Sequence, residues 1–153
     1  MNVESMLLEY THIPEMVRKL NRELNDIIQN KNETYNTLQS SKITGMPHGT
    51  EVSNITLKAV EKLIDRYEVR VKSITEEINY LIDLKENIEK AIRILSLEER
   101  RIIELRFFNS YKWKRIQYIV KYSRSQCFDI HNKAINKLKV ELEKFGLNRT
   151  FYM

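Results

Sequence analysis

The sequence predicts an all-α protein: a long antiparallel helical hairpin of coiled-coil type over residues 1–95, a helix-turn-helix three-helix domain over 96–146, and a tail over 147–153. Three observations lead there. Only three Gly and two Pro occur against 31% charged residues, a balance that suits long helices and not a turn-rich sheet protein. Apolar residues recur at alternating spacings of three and four from Leu57 to Leu95. A capped, basic, amphipathic segment opens at Ser123.

The first helical piece spans roughly residues 3–11, and Pro14 followed by Glu15 marks a helix start or a kink near residue 13. Met6, Tyr10, Ile13, Val17, Leu20, Leu24, Ile27 and Leu38 form a seam interrupted by Lys31 and Thr34. Ser40 to Ser53 holds two of the three glycines and one of the two prolines, so it reads as a loop. Ser53 or Asn54 then suits an N-cap. The second seam is Leu57, Val60, Ile64, Tyr67, Val71, Ile74, Ile78, Leu81, Ile88, Ile92 and Leu95, broken at Lys85. A sustained repeat of about 3.5 residues is the pattern of a helix supercoiling on another helix, here about 60 Å long at about 1.5 Å per residue. Each seam is a single stripe, so neither helix is stable alone. They pair with each other, with a second copy, or with both.

At Ser96 a new helix begins. Ser96-Leu97-Glu98-Glu99 fits a capping box, and Leu97, Ile102, Ile103, Leu105 and Phe107 form the apolar set of a helix reaching about Phe108. Asn109-Ser110-Tyr111 is a turn. Trp113, Ile116, Ile119 and Val120 mark one face of a short helix, with Trp113 as a core anchor. Ser123-Arg124-Ser125-Gln126 is a second capping box opening a helix over 123–145, and Gly146 suits its C-terminal end. Cys127, Ile130, Ala134, Ile135, Leu138 and Leu142 are its expected buried stripe.

The net charge of +5 is uneven. Residues 1–95 hold 13 Lys/Arg and 15 Asp/Glu, a net of −2, and residues 96–153 hold 13 and 6, a net of +7. A basic C-terminal third fits a polyanion partner and equally a solvated basic face. The single Cys127 rules out an internal disulfide and fits a reducing cytoplasm. No apolar run approaches the roughly 20 residues of a membrane span, and the N-terminus lacks the pattern of a signal peptide, so no membrane partner is expected. His12, His48 and His131 share no ligand spacing with Cys127, so no metal site is expected. The carboxylates are scattered along helices and no glycine-rich phosphate motif occurs. No enzymatic role, catalytic residue or cofactor is therefore expected.

The helix from Ser123 carries the chemistry. Arg124, Ser125, Phe128, Asp129 and Asn132 lie opposite its buried stripe. Arg can bond guanine, Asn adenine, Asp cytosine, and Phe can touch a thymine methyl. Lys112, Lys114, Arg115, Lys121 and Lys133 stand where phosphate contacts are expected. Helix, tight turn and polar second helix together fit the major groove of double-stranded DNA. An ordinary three-helix domain with a wet basic face has the same outline.

Leu97-Glu98-Glu99-Arg100-Arg101-Ile102-Ile103-Glu104-Leu105-Arg106-Phe107, then Trp113…Ile116, then Tyr122-Ser123-Arg124-Ser125-Gln126…Ile130…Lys133-Ala134…Lys137-Leu138, resembles region 4 of bacterial sigma-70 factors. The whole chain resembles phage late-gene regulators of the RinA and ArpU type, and Gly45-Met46-Pro47-His48-Gly49 is similar to a loop of that group. By this resemblance Arg124, Ser125, Phe128 and Asp129 fall at base-reading positions. Gln117 stands where Ala or Gly is usual, the turn often has Gly near Lys121, and Phe128 and Asp129 are less usual readers, which leaves the bases read and the promoter sequence open. No segment resembles the promoter-melting region of a sigma factor. The resemblance thus implies an accessory activator of phage or prophage transcription in the bacterial cytoplasm, binding DNA as a homodimer and contacting RNA polymerase. A phage DNA-packaging small subunit, or an adaptor whose basic domain binds an acidic protein, are the alternatives.

Overall fold

The structure, a computed structural model, describes residues 2–43 and 50–146, and the side chains of these except at 38–56. All regular structure among the described residues is helical: α1 (Val3–Tyr10), α2 (Ile13–Ile43), α3 (Thr50–Arg93), α4 (Leu97–Ile103) with a π-helical continuation (Glu104–Phe108), α5 (Trp113–Val120) and α6 (Arg124–Lys144). None of these helices is long and apolar enough to cross a membrane. Of the loop expected over 40–53, residues 44–49 lie outside the described residues and the remainder is helical. Helix reaches Ile43 on one side and restarts at Thr50 on the other, ahead of the expected Ser53 or Asn54. No glycine or proline follows Gly49 until far beyond Leu57, so nothing stops α3 from starting early. The Gly45–Gly49 motif, the Leu38 side chain and the tail at 147–153 lie outside what is described.

The chain divides into two compact units: Glu15–Tyr80, and a second unit combining Met1–Pro14 with Leu81–Met153. The boundary expected at 95/96 lies inside the second unit. The first unit is α2 with the leading part of α3. Arg70 Nε donates to Glu23 Oε1 at 3.1 Å, and Lys31 Nζ to Glu68 Oε1 at 3.0 Å. Partner numbers rise along one helix as they fall along the other, so the two run antiparallel there. Ile64, Ile74 and Ile78 are buried, while Val17, Leu20, Leu24, Ile27, Val60, Tyr67 and Val71 are half-buried. Lys31 and Thr34, the polar seam positions, are half-buried too. Ile28, Tyr35, Leu63 and Val69 are exposed on the outside.

The second unit holds the main core. α3 contributes Leu81, Leu84, Ile88, Ala91, Ile92 and Leu95 after or near its end. The seam passes through Leu84 where strict spacing pointed to Lys85, because the helix buries a wider stripe here than a two-helix seam requires. α4 packs on α6, and α1 packs on both α6 and the π-helical turn. Val3 and Leu7 are the buried residues of α1, with Met6 and Tyr10 half-buried. The Tyr10 hydroxyl donates to Glu89 Oε1 at 3.0 Å, and its ring lies 4.9 Å from Phe108. Burial, then the hydrogen bond to the Glu89 carboxylate and its charge, raise the Tyr10 pKa.

Both capping boxes form. Ser96 Oγ accepts from the Glu99 N–H at 3.3 Å and Glu99 Oε2 accepts from the Ser96 N–H at 3.0 Å, an arrangement worth about 1 kcal/mol. Leu97, expected in the core, is 82% exposed. As the residue just after the cap, it is carried round to the solvent side by the same turn that buries Ile102 and Ile103. On α6, Cys127, Ala134, Leu138 and Leu142 are buried as expected, Ile130 and Ile135 only half so, and His131 joins the stripe.

Candidate nucleic-acid interface

α5 begins at Lys112, whose extended backbone caps the helix without a side-chain bond, and buries Ile116. Ile102, Leu105, Ile116 and Cys127 form a small core edged by Trp113, Ile119, Val120, Tyr122 and Ile130. That core ties α5 to α6, and burial within it raises the Cys127 thiol pKa. α5 ends sharply. Lys121 takes φ 57 and ψ 35, left-handed backbone, and its N–H donates to the Gln117 carbonyl at 2.8 Å. Glycine favours this conformation, and a side chain there costs about 1 kcal/mol.

Two residues later α6 starts. Ser123 Oγ accepts from the Gln126 N–H at 3.2 Å, and Gln126 Oε1 accepts from the Ser123 N–H at 3.1 Å. This second box fixes the angle at which α6 leaves the turn. The Tyr122 hydroxyl between the helices donates to Glu98 Oε1 at 2.9 Å, tying the turn to α4. That bond, and the carboxylate's charge, raise the Tyr122 pKa.

Arg124, Ser125, Asp129 and Asn132 are exposed along the leading half of α6. Phe128 is half-buried. Its ring centroid lies 4.5 Å from Trp113, and the Arg124 guanidinium sits 5.5 Å above it. One face of the ring is thus occupied, and the ring in turn supports Arg124. Asn132 Oδ1 lies 3.2 Å from His131 Nδ1. The face therefore offers a five-donor cation, a hydroxyl, a carboxylate and an amide within two helical turns.

Lys112, Lys114, Arg115, Lys121 and Lys133 are all exposed, and among the described residues none has an ion-pair partner. Arg115 stacks 4.0 Å over the Tyr111 ring. Tyr111, Lys112, Lys114, Arg115 and Tyr118 line one shallow groove. Tyr118, 84% exposed, did not stand out in the sequence. Its place four residues after Lys114 and three after Arg115 was the available signal. Lys137, by contrast, is committed to Glu99, with Nζ 2.8 Å from Oε1. Arg106 donates from Nη1 to the Tyr111 carbonyl at 3.2 Å and covers Trp113, so it braces the turn before α5.

Among the described residues no three His, Cys, Asp or Glu side chains converge as a metal would require. His131 is nearly buried between Phe107 and Trp113, and His48 lies outside the described residues.

The profile of the family described as "Protein of unknown function (DUF722)" matches residues 16–140. The chain belongs to this family. Within the DUF722 match lie all of α3, α2 from Met16 onward, both capping boxes, the left-handed Lys121 and every residue of the α6 face described above. α1 precedes the match. No curated protein and no solved structure matches the chain.

Proposed function

We propose that this DUF722 protein is a sequence-specific, double-stranded-DNA-binding regulator of transcription, an activator of phage or prophage genes, which inserts the leading half of α6 into the major groove. The observation that carries the reading is one surface. Arg124, Ser125, Asp129 and Asn132 are exposed on α6 directly after a capped tight turn, beside exposed Lys112, Lys114, Arg115, Lys121 and Lys133, which have no ion-pair partner among the described residues. Base-edge chemistry in the centre and cations at the edge are the division of labour that groove reading demands. Phe128 serves mainly as the platform under Arg124. The resemblance to sigma-70 region 4 and to the RinA and ArpU type supplies the phage context, the cytoplasmic setting and the RNA polymerase contact. The α2–α3 pair supplies a second copy's docking face, since one reading helix alone gives little affinity and dimers double the site.

The test is selection of random duplexes by the purified full-length protein at near-physiological salt, with two variants alongside. Arg124→Ala is expected to lose the selected motif, at about 1–3 kcal/mol for the specific site. Lys121→Ala is expected to weaken all sequences alike and reduce the slope of log affinity against log salt by about one. Recovery of no motif, or two variants indistinguishable from the parent, would sink the reading.

A further inference from the structure

A cavity of about 440 Å³ opens between α1, the π-helical turn and α6, within the usual range for small-molecule sites. Its walls are aromatic. Trp113 lies against Phe128, and the His131 ring meets Trp113 edge-on at 5.2 Å. The His131 side chain is only 8% exposed; its Nδ1 lies 3.2 Å from Asn132 Oδ1, and its Nε2 faces Glu4 Oε1 at 3.6 Å, longer than a hydrogen bond. A contact of that length leaves room for a closer acceptor at Nε2. Arg106 lines the same cavity. Its bond to the Tyr111 carbonyl takes one donor of five. The backbone here is unusual twice over. Glu104–Phe108 is π-helical, a form concentrated at functional sites, and Ser110, also on the cavity wall, holds φ 55, rare for a residue with a side chain.

We propose that this cavity binds a small planar aromatic anion. The ring lies along Trp113 and Phe128, and the acid group takes Arg106 together with His131 Nε2. Glu4, 54% exposed at its side chain, swings into water and yields its place beside the imidazole. No nucleic acid is involved, so the inference stands or falls apart from the DNA reading.

Trp113 is the sole tryptophan, which makes the site its own reporter. The full-length protein is titrated with anilinonaphthalene sulfonate, an aromatic anion, while Trp113 emission is followed. Saturable quenching with energy transfer to the probe is expected. Arg106→Gln is expected to weaken it about tenfold or more, the loss of a charge-assisted hydrogen bond. Leu8→Phe, which narrows the cavity from a half-exposed position on α1, is expected to weaken it too, with circular dichroism unchanged. Absence of a saturable Trp113 response, or equal binding by parent and Leu8→Phe, would overturn the proposal.

Discussion

Glu99 joins three parts of the second unit through one carboxylate. Oε2 closes the cap on Ser96, and the same group receives Lys137 Nζ from α6. Burial would raise its pKa. The hydrogen bond from Lys137, the Ser96 N–H and the lysine's charge outweigh that and hold it below the ordinary carboxylate value. A depressed folded-state pKa contributes stability that is fully present above the unfolded value, about 4.3, and is lost as pH falls through the folded one. Glu99→Gln is therefore expected to be less stable than the parent at neutral pH, with the difference shrinking below about pH 4. Urea midpoints of both proteins across that range would show it, and a constant gap would contradict the assignment. His131 shows how residue type hides a position. It stands four after Cys127 and three before Ala134, squarely on the buried stripe. The Phe107 and Trp113 rings around it, with Asn132 Oδ1 and Glu4 Oε1 at its two nitrogens, make a polar side chain acceptable there.

At the scale of elements, α1 is decisive. Eight residues are too few for a stable isolated helix, so α1 exists through what it packs on. Leu7 is fully buried, and Leu7→Ala is expected to cost about 2–5 kcal/mol, read as a lowered urea midpoint of the second unit. The elements themselves were legible in the sequence because their signals are local. Pro14 marked the entry to α2, and Ser96 and Ser123 marked two further starts. The partners of α1 were not legible. Met6–Tyr10 and Val3–Leu7 are equally spaced apolar pairs on different faces, and local spacing does not say which face meets a core assembled from residues 81–142. The α6 face was legible in its chemistry, since Arg124, Ser125, Asp129 and Asn132 are exposed as expected. Phe128 was not, because its contact with Trp113 spans a turn whose path the sequence leaves open.

For the molecule as a whole, the two surfaces of the proposed function fall on different units. The cations of the α5–α6 surface belong to the second unit, and the thinly covered seam belongs to the first. With Ile28, Tyr35, Leu63 and Val69 exposed among the described residues of α2 and α3 in the first unit, the homodimer of the proposed function is expected to form there. Sedimentation equilibrium should then return twice the 18.4 kDa chain mass, and Val69→Glu, at a site 70% exposed, should shift it toward the monomer. A parent that stays monomeric would remove the dimer from the proposal. The placement of α1 also has a bearing on how the protein is made. Translation delivers α1 before any of the segments that hold it, and α6 comes last among them. Val3 and Leu7 therefore remain uncovered through synthesis of the intervening chain, and closing so long a loop is a slow step. An element made before its partners is thus among the last to find its place, so a chain stalled before α6 would carry α1 with Val3 and Leu7 still sticky, a natural handle for chaperones or for degradation.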